Sequence, residues 1–221
     1  VTKCGINLIT PNRPAYKIKS YNTAANHIQE SVDRSLANLN TDYIDLLLIH
    51  RPDPLMDAAE VADIVEQLKS AGKVKHFGVS NFTPSQYELL DSYTPLVTNQ
   101  VEVSLLHTDP IYDGTFDQCQ RLQVRPMAWS PMGGGKIFGM EQEDLFPIQA
   151  KAGEIIKRYD HAFEMDQLLL AWLMKLPCGI LPVIGTGRID RLEKAAAAVD
   201  IDITRDEWFE LLEAARGHEV A

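Results

Sequence analysis

Short apolar runs alternate with helical segments along this chain, and the runs end in polar residues fit for a binding site. Run 45–49 (DLLLI) ends in His50 and Arg51, and run 75–79 ends in Ser80 and Asn81. Run 125–128 ends in Trp129 and Ser130, followed closely by Gly133, Gly134 and Gly135. Run 180–184 ends in Gly185, Thr186, Gly187 and Arg188. The runs carry few polar interruptions, as strands buried on both faces of a parallel sheet do. Strict alternation of strand and helix predicts an α/β fold with right-handed crossovers. In a barrel of parallel strands such ends converge on one face, and that face holds the active site. A doubly wound sheet is the structural rival, but no GxGxxG follows any strand.

Helix signals fill the intervals. Ala24, Ile28, Val32, Leu36 and Leu39 share one helix face across 23–39. Asp57 with Glu60 resembles a capping box, and Gly72 is the stop for that helix. Thr83, Pro84 and Gln86 form a stronger start signal. Segments 153–159, 166–176 and 188–198 read as helical, and Pro177 stops the second. Thr204 with Glu207 caps a last helix whose Trp208, Leu211, Leu212 and Ala215 share a face. Six strands are expected, ending near Lys3, His50, Ser80, Val103, Trp129 and Thr186. A six-stranded arc would expose two sheet edges. The expectation is therefore a (β/α)8 TIM-type barrel, a single domain over 1–221 with an extra C-terminal helix, lacking its first two βα units. The opening VTKCGI, without an initiator Met, reads as the tail of a strand whose lead-in lies upstream.

Composition narrows the function. With 221 residues, 45% of them hydrophobic, the chain can bury one substantial core. A net charge of −10 argues against a nucleic-acid or membrane-surface partner. Cys4, Cys119 and Cys178 are far apart and lack metal-ligand spacing, which suits a reduced cytoplasmic protein. No segment has the length and apolarity of a bilayer span or the form of a signal peptide.

The glycines after the last two strands, with Arg188 and Arg191, suit a phosphate: backbone N–H groups and a helix start point at the anion. Equally, the glycines make turns and the arginines are solvated. Trp129 is either a stacking platform for a flat ring or a core residue. Ser80, Asn81 and Gln100 have the donors and acceptors a primary amide needs, while Ser-Asn before a Thr-Pro helix start is also ordinary turn chemistry. His50 and Lys3 end strands at the same face, as site residues or as satisfied structural ones. His27, His76, His107, His161 and His218 form no metal-ligand pair, so no metal is expected. The acidic groups at 57–66 and 141–144 read as solvated faces.

Taken together, VTK (1–3), IDLLLIHRPDP (44–54), GKVKHFGVSNFTP (72–84), TNQVE (98–102), RPMAWSPMGGG (125–135) and LPVIGTGRIDRLEKA (181–195) resemble the aldo-keto reductase superfamily. Within it the chain is most similar to bacterial YdhF-type oxidoreductases. Any one motif is weak; the ordered set is specific. The resemblance implies NADPH-dependent hydride transfer to an aldehyde or ketone. Lys3 and His50 match two members of the family's Asp-Tyr-Lys-His tetrad, whose Asp and Tyr fall before residue 1. Ser80, Asn81 and Gln100 match the residues gripping the nicotinamide carboxamide, and Trp129 the aromatic stacked on its ring. Ser130, Met132, Gly133, Gly134 and Gly135 match the loop over the pyrophosphate. Gly185, Thr186, Gly187 and Arg191 match the adenosine-phosphate end, where the guanidinium implies NADP over NAD. Lys194 and Ala195 stand where many relatives carry a Glu-Asn pair near the adenine.

Two other readings stay open: a catalytically weak or inactive NADP(H)-binding regulatory protein, and a barrel enzyme acting on a phosphorylated sugar. Substrate loops are expected at 7–22 and 105–115, and Arg13, Lys17 and Lys19 in the first hint at acidic groups. The expected partner is a small carbonyl compound, and the oligomeric state a monomer or weak dimer.

Overall fold

A computed structural model of the chain describes residues 1–11, 16–139, 145–160 and 163–219. Arg13, His161 and the acidic group at 141–144 lie outside the described residues. The chain divides into two compact units, Val1–Gln100 and Val101–Ala221.

The first unit opens with β1 (Thr2–Cys4) and a small antiparallel hairpin of β2 (Ile6–Asn7) and β3 (Ser20–Tyr21). Then α1 (Ala25–Leu39), β4 (Ile44–Ile49), α2 (Ala58–Ser70), β5 (Val74–Ser80), α3 (Pro84–Asp91) and β6 (Asn99–Glu102) alternate. The strands lie parallel in the order β1-β4-β5-β6. Leu47, Leu48 and Ile49 of β4 are buried on successive residues, because helices rather than water face a parallel sheet. Ile28 and Val32 of α1 and Val61, Val65 and Leu68 of α2 are also buried. Each such side chain contributes about 1.5–3 kcal/mol. The expected apolar face of α1 stops short of Leu39, which is 60% exposed in the helix's last turn.

Caps follow local chemistry. Thr83 and Gln86 close a reciprocal capping box on α3. Asp57 caps α2 through Ala59 and Glu60, but the box is not completed: Glu60 turns away and accepts from the Ala25 amide at 2.9 Å. α1 starts at Ala24 without a capping side chain of its own. Asp53, in the loop after β4, anchors the residue before that cap by accepting from the Thr23 amide and hydroxyl, each at 3.0 Å.

The second unit contains α4 (Asp109–Tyr112), α5 (Thr115–Leu122), β7 (Met127–Trp129), α6 (Phe146–Ile156), α7 (Met165–Met174), β8 (Leu181–Pro182), α8 (Ile189–Ala197) and α9 (Arg205–Arg216). β7 and β8 pair in parallel through Met127↔Leu181 and Ala128↔Pro182. The core gathers Ile148, Ala152 and Ile155 from α6, Leu168, Leu169 and Trp172 from α7, and Leu211 and Leu212 from α9. α9 carries the expected Thr204–Glu207 capping box.

Three expectations are corrected. The helix expected at 153–159 begins seven residues earlier, at Phe146, with Pro147 in its first turn, and ends at Ile156. The region 105–115, expected as loop, contains α4 and the start of α5. The last strand is two residues long; 183–188 carry no regular element. No helix among the described residues is long and apolar enough to cross a membrane.

Candidate active site

In the first unit, β1 runs beside β4 with Lys3 opposite Leu48. The His50 amide donates to the Cys4 carbonyl at 2.9 Å, so the residue following β4 is held at the end of β1. Burial lowers the pKa of the Lys3 ammonium, helped by the charge of Arg51. Burial also lowers that of His50, helped by Lys3, Arg51 and Lys19. His50 is therefore the neutral imidazole at neutral pH, able to donate one N–H. Lys3 and His50 line a cavity of about 220 Å³ together with His27, Ser31 and Arg34, and no carboxylate is among its lining residues.

Ser80, Asn81 and Gln100 come together at the ends of β5 and β6. Ser80 pairs with Gln100 in register; its hydroxyl donates to the Gln100 carbonyl at 2.8 Å and accepts from the Asn81 side-chain amide at 2.8 Å. The Asn81 main-chain N–H donates to the same carbonyl at 2.9 Å. The close approach of these strands depends on Gly78: a Cβ there would lie 2.8 Å from the Thr98 carbonyl.

In the second unit a cavity of about 880 Å³ gathers most of the expected cofactor residues. Ser130, Met132, Gly134, Gly135, Gly185, Thr186 and Arg191 line it, with Arg188; Gly133, Gly187 and Trp129 do not. Trp129 ends β7 half-buried. Gly133, Gly134 and Gly135 open a 3-10 segment (Gly133–Phe138), all three with positive φ. At Gly133 a Cβ would also meet Leu106 Cδ1 at 2.6 Å, whereas at Gly134 and Gly135 it would meet nothing within 4 Å. The loop thus packs on one side and presents bare backbone on the other, the form that admits a phosphate.

The two arginines differ. Arg188 stands at the N-cap of α8 and is clasped by Asp190 through bonds of 3.0 and 2.6 Å. Arg191 has no ion-pair partner among the described residues, whereas Arg188 would have to give up Asp190 to meet an anion. Thr186 has a turn role, accepting from the Arg188 amide at 3.2 Å.

Among the described residues, four that are not glycine adopt left-handed conformations: Asn40, Asn81, Gln123 and Ser130. Asn40 and Gln123 are helix C-caps, where this is ordinary. Asn81 (φ 61°) and Ser130 (φ 49°) instead follow directly on β5 and β7. Strain of this kind persists where the surroundings over-determine it and clusters at functional sites.

Sequence reasoning missed the far wall of the second cavity: Glu164, Met165 and Asp166 at the start of α7. Glu164 forms an ion pair with Lys194 of α8, and this bond and the nearby Asp166 and Asp190 hold the Lys194 pKa above its ordinary value. No spacing rule links residues 30 apart on different helices.

The aldo/keto reductase family model matches residues 1–216, and the chain belongs to that family of oxidoreductases. It is 48% identical over 222 residues to oxidoreductase YdhF of Escherichia coli, covering all of this chain and 73% of that protein. It is 46% identical over 222 residues to the uncharacterized oxidoreductase YcsN of Bacillus subtilis, covering all of this chain and 74% of that one. Among solved structures, the aldo/keto reductase from Klebsiella pneumoniae in complex with NADP and acetate superposes with a TM-score of 0.73 at 27% identity, over 89% of this chain and 66% of that one. The fold is thus that of the aldo-keto reductase barrels, as the ordered motifs implied.

Proposed function

We propose that the protein is an NADP(H)-dependent reductase of aldehydes or ketones. The observation that carries this reading is the second unit's cavity, where bare glycine backbone and Arg191, which has no ion-pair partner among the described residues, line one space. A phosphate fits that donor set: peptide N–H groups take a pyrophosphate, and a guanidinium takes a phosphomonoester by two parallel bonds. The solved relative bound to NADP supports the same cofactor.

When bound, the nicotinamide supplies the hydride. The remaining work belongs to the chain. Ser80, Asn81 and Gln100 hold the carboxamide, and Trp129 supports the ring. Ser130, Met132, Gly134 and Gly135 cover the pyrophosphate, with Gly133 seating their loop on Leu106; Gly185, Thr186 and Arg191 hold the adenosine phosphate. His50, neutral, donates its N–H to the substrate carbonyl oxygen as negative charge develops there. Lys3 keeps a positive charge beside that oxygen and stabilises the alkoxide; the proton that completes the alcohol would come from the tyrosine that the family resemblance pairs with this lysine. The buried thiols of Cys4, Cys119 and Cys178 suit a reducing, cytoplasmic setting.

The test is titration of NADPH and NADH into the protein, followed by oxidation of NADPH in the presence of aldehydes and ketones. The expected result is binding that Arg191→Ala weakens about 10- to 100-fold for NADPH, the worth of a charge-assisted contact, with little effect on NADH. Equal affinity for both cofactors in the unaltered chain removes the proposed role of Arg191.

A further inference from the structure

The cavity of the second unit is lined by three cations, Arg188, Arg191 and Lys194, and by three carboxylates, Glu164, Asp166 and Asp190. Two of the cations are answered, and the two pairs differ in kind. Arg188 and Asp190 are two residues apart, so their pair folds a guanidinium back on its own helix start. Glu164 and Lys194 stand on different walls: the first is the N-cap of α7 and the second lies in the last turn of α8. Their ion pair ties the walls together. A second tie is independent of charge, since the Gln167 side chain donates to the Lys194 carbonyl at 3.1 Å. The wall therefore stays in place when the ion pair opens.

Lys194 lies three residues beyond Arg191, on the same helix face. A phosphomonoester brings close to two negative charges, of which one guanidinium balances one. Arg188 and Lys194 each lie three residues from Arg191; of the two, Lys194 is the one whose carboxylate partner, Glu164, stands on another wall of the cavity and competes for it. Both members of the pair are partly exposed, with side-chain exposures of 43% and 61%, so the competition is between weak partners and opens readily.

We propose that the Glu164–Lys194 ion pair determines how strongly this site prefers a 2′-phosphorylated adenine nucleotide over the unphosphorylated one. Lys194 is a second phosphate cation held in reserve, and Glu164 sets how much of it reaches the ligand. This rests on the NADP(H) reading of the cavity.

The experiment is calorimetric titration of 2′,5′-ADP and 5′-AMP into the full chain and three variants. Glu164→Gln keeps the side-chain length and one acceptor oxygen while removing the charge. It is expected to tighten 2′,5′-ADP about three- to fivefold, the upper end of an exposed ion pair, and to leave 5′-AMP unchanged. Lys194→Met is expected to weaken 2′,5′-ADP by a similar factor, and its exposed position makes folding secure. In the double variant the Glu164→Gln gain should vanish, the non-additivity that coupling through Lys194 requires. Arg191→Ala serves as the reference. If it weakens 2′,5′-ADP while Glu164→Gln is silent or shifts both ligands equally, the ion-pair proposal is overturned and the cavity assignment stands. If the unaltered chain binds neither ligand, both fall.

Discussion

The His50 main-chain N–H donates to the Cys4 carbonyl at 2.9 Å, and this bond seats the imidazole one strand away from Lys3. The consequence is a pH dependence of known sign. Burial, joined by the charges of Lys3, Arg51 and Lys19, lowers the folded pKa of His50 below 6.5. The unfolded chain then takes up the proton first as pH falls. Stability from the neutral imidazole is fully present above 6.5 and is lost as pH falls through the lower folded value. His50→Gln should flatten this acid-side loss in urea melts between about pH 5 and pH 8. An unchanged slope would show that another group titrates there. Lys3 adds the same sign at the alkaline side, in a window whose upper edge is 10.5.

At the Ser80–Gln100 contact, a polar knot depends on a missing side chain two residues earlier. Gly78→Ala drives a Cβ against the Thr98 backbone carbonyl, which cannot rotate away. The strands must separate, at a cost of about 1–3 kcal/mol. NADPH affinity should fall together with the urea midpoint. Ser80→Ala removes one hydroxyl but leaves the strand spacing intact. It strands the Asn81 amide and the Gln100 carbonyl of their bonds to Ser80 Oγ, for about 1–3 kcal/mol. If Gly78→Ala lowers stability without touching cofactor affinity, the knot does not hold the cofactor.

Trp172 and Trp208 bind each other twice, each indole N–H donating to the other's main-chain carbonyl, at 3.0 and 2.9 Å. Their rings stack with centroids 5.0 Å apart. Trp208→Phe should cost about 1–3 kcal/mol, because an indole N–H is lost and the Trp172 carbonyl loses its donor. Cofactor affinity should be unaffected. Trp129→Phe should do the reverse, abolishing most NADPH-dependent fluorescence quenching while leaving the melting temperature nearly unchanged.

All three thiols are free and buried. Burial pushes Cys4 and Cys119 up to about 12 and Cys178 up to about 11. A thiol of this kind is inert, since the thiolate is the nucleophile. At neutral pH, iodoacetamide should label none of them in the folded protein and all three in urea. Rapid labelling of one in the native protein would identify a local opening.

What was legible beforehand follows from the length scale of each signal. α3 and α9 were read correctly at their starts because a capping box lies within four residues. The polar ends of β4 and β5 were equally visible, since the second half of each strand is a buried apolar run that stops where the site begins. α6 was misplaced because its start lacks a capping side chain, and Gly153 within it looks like a boundary. α5 was missed because its first residue follows Gly114, a left-handed N-cap without a side chain to announce it. Within the site, Arg188 and Arg191 look alike in sequence; only the fold shows that Asp190 takes one and leaves the other. Glu164 was out of reach for the same reason, its partner being 30 residues away.

The borrowed start of α1 bears on how the chain folds. α3 and α9 carry their own start signals and can nucleate from local sequence alone. The start of α1 takes its carboxylates from Asp53 and Glu60, beyond the whole of β4. Its first turn is thus completed by side chains some thirty residues further on, so forming this turn and closing that loop are energetically coupled.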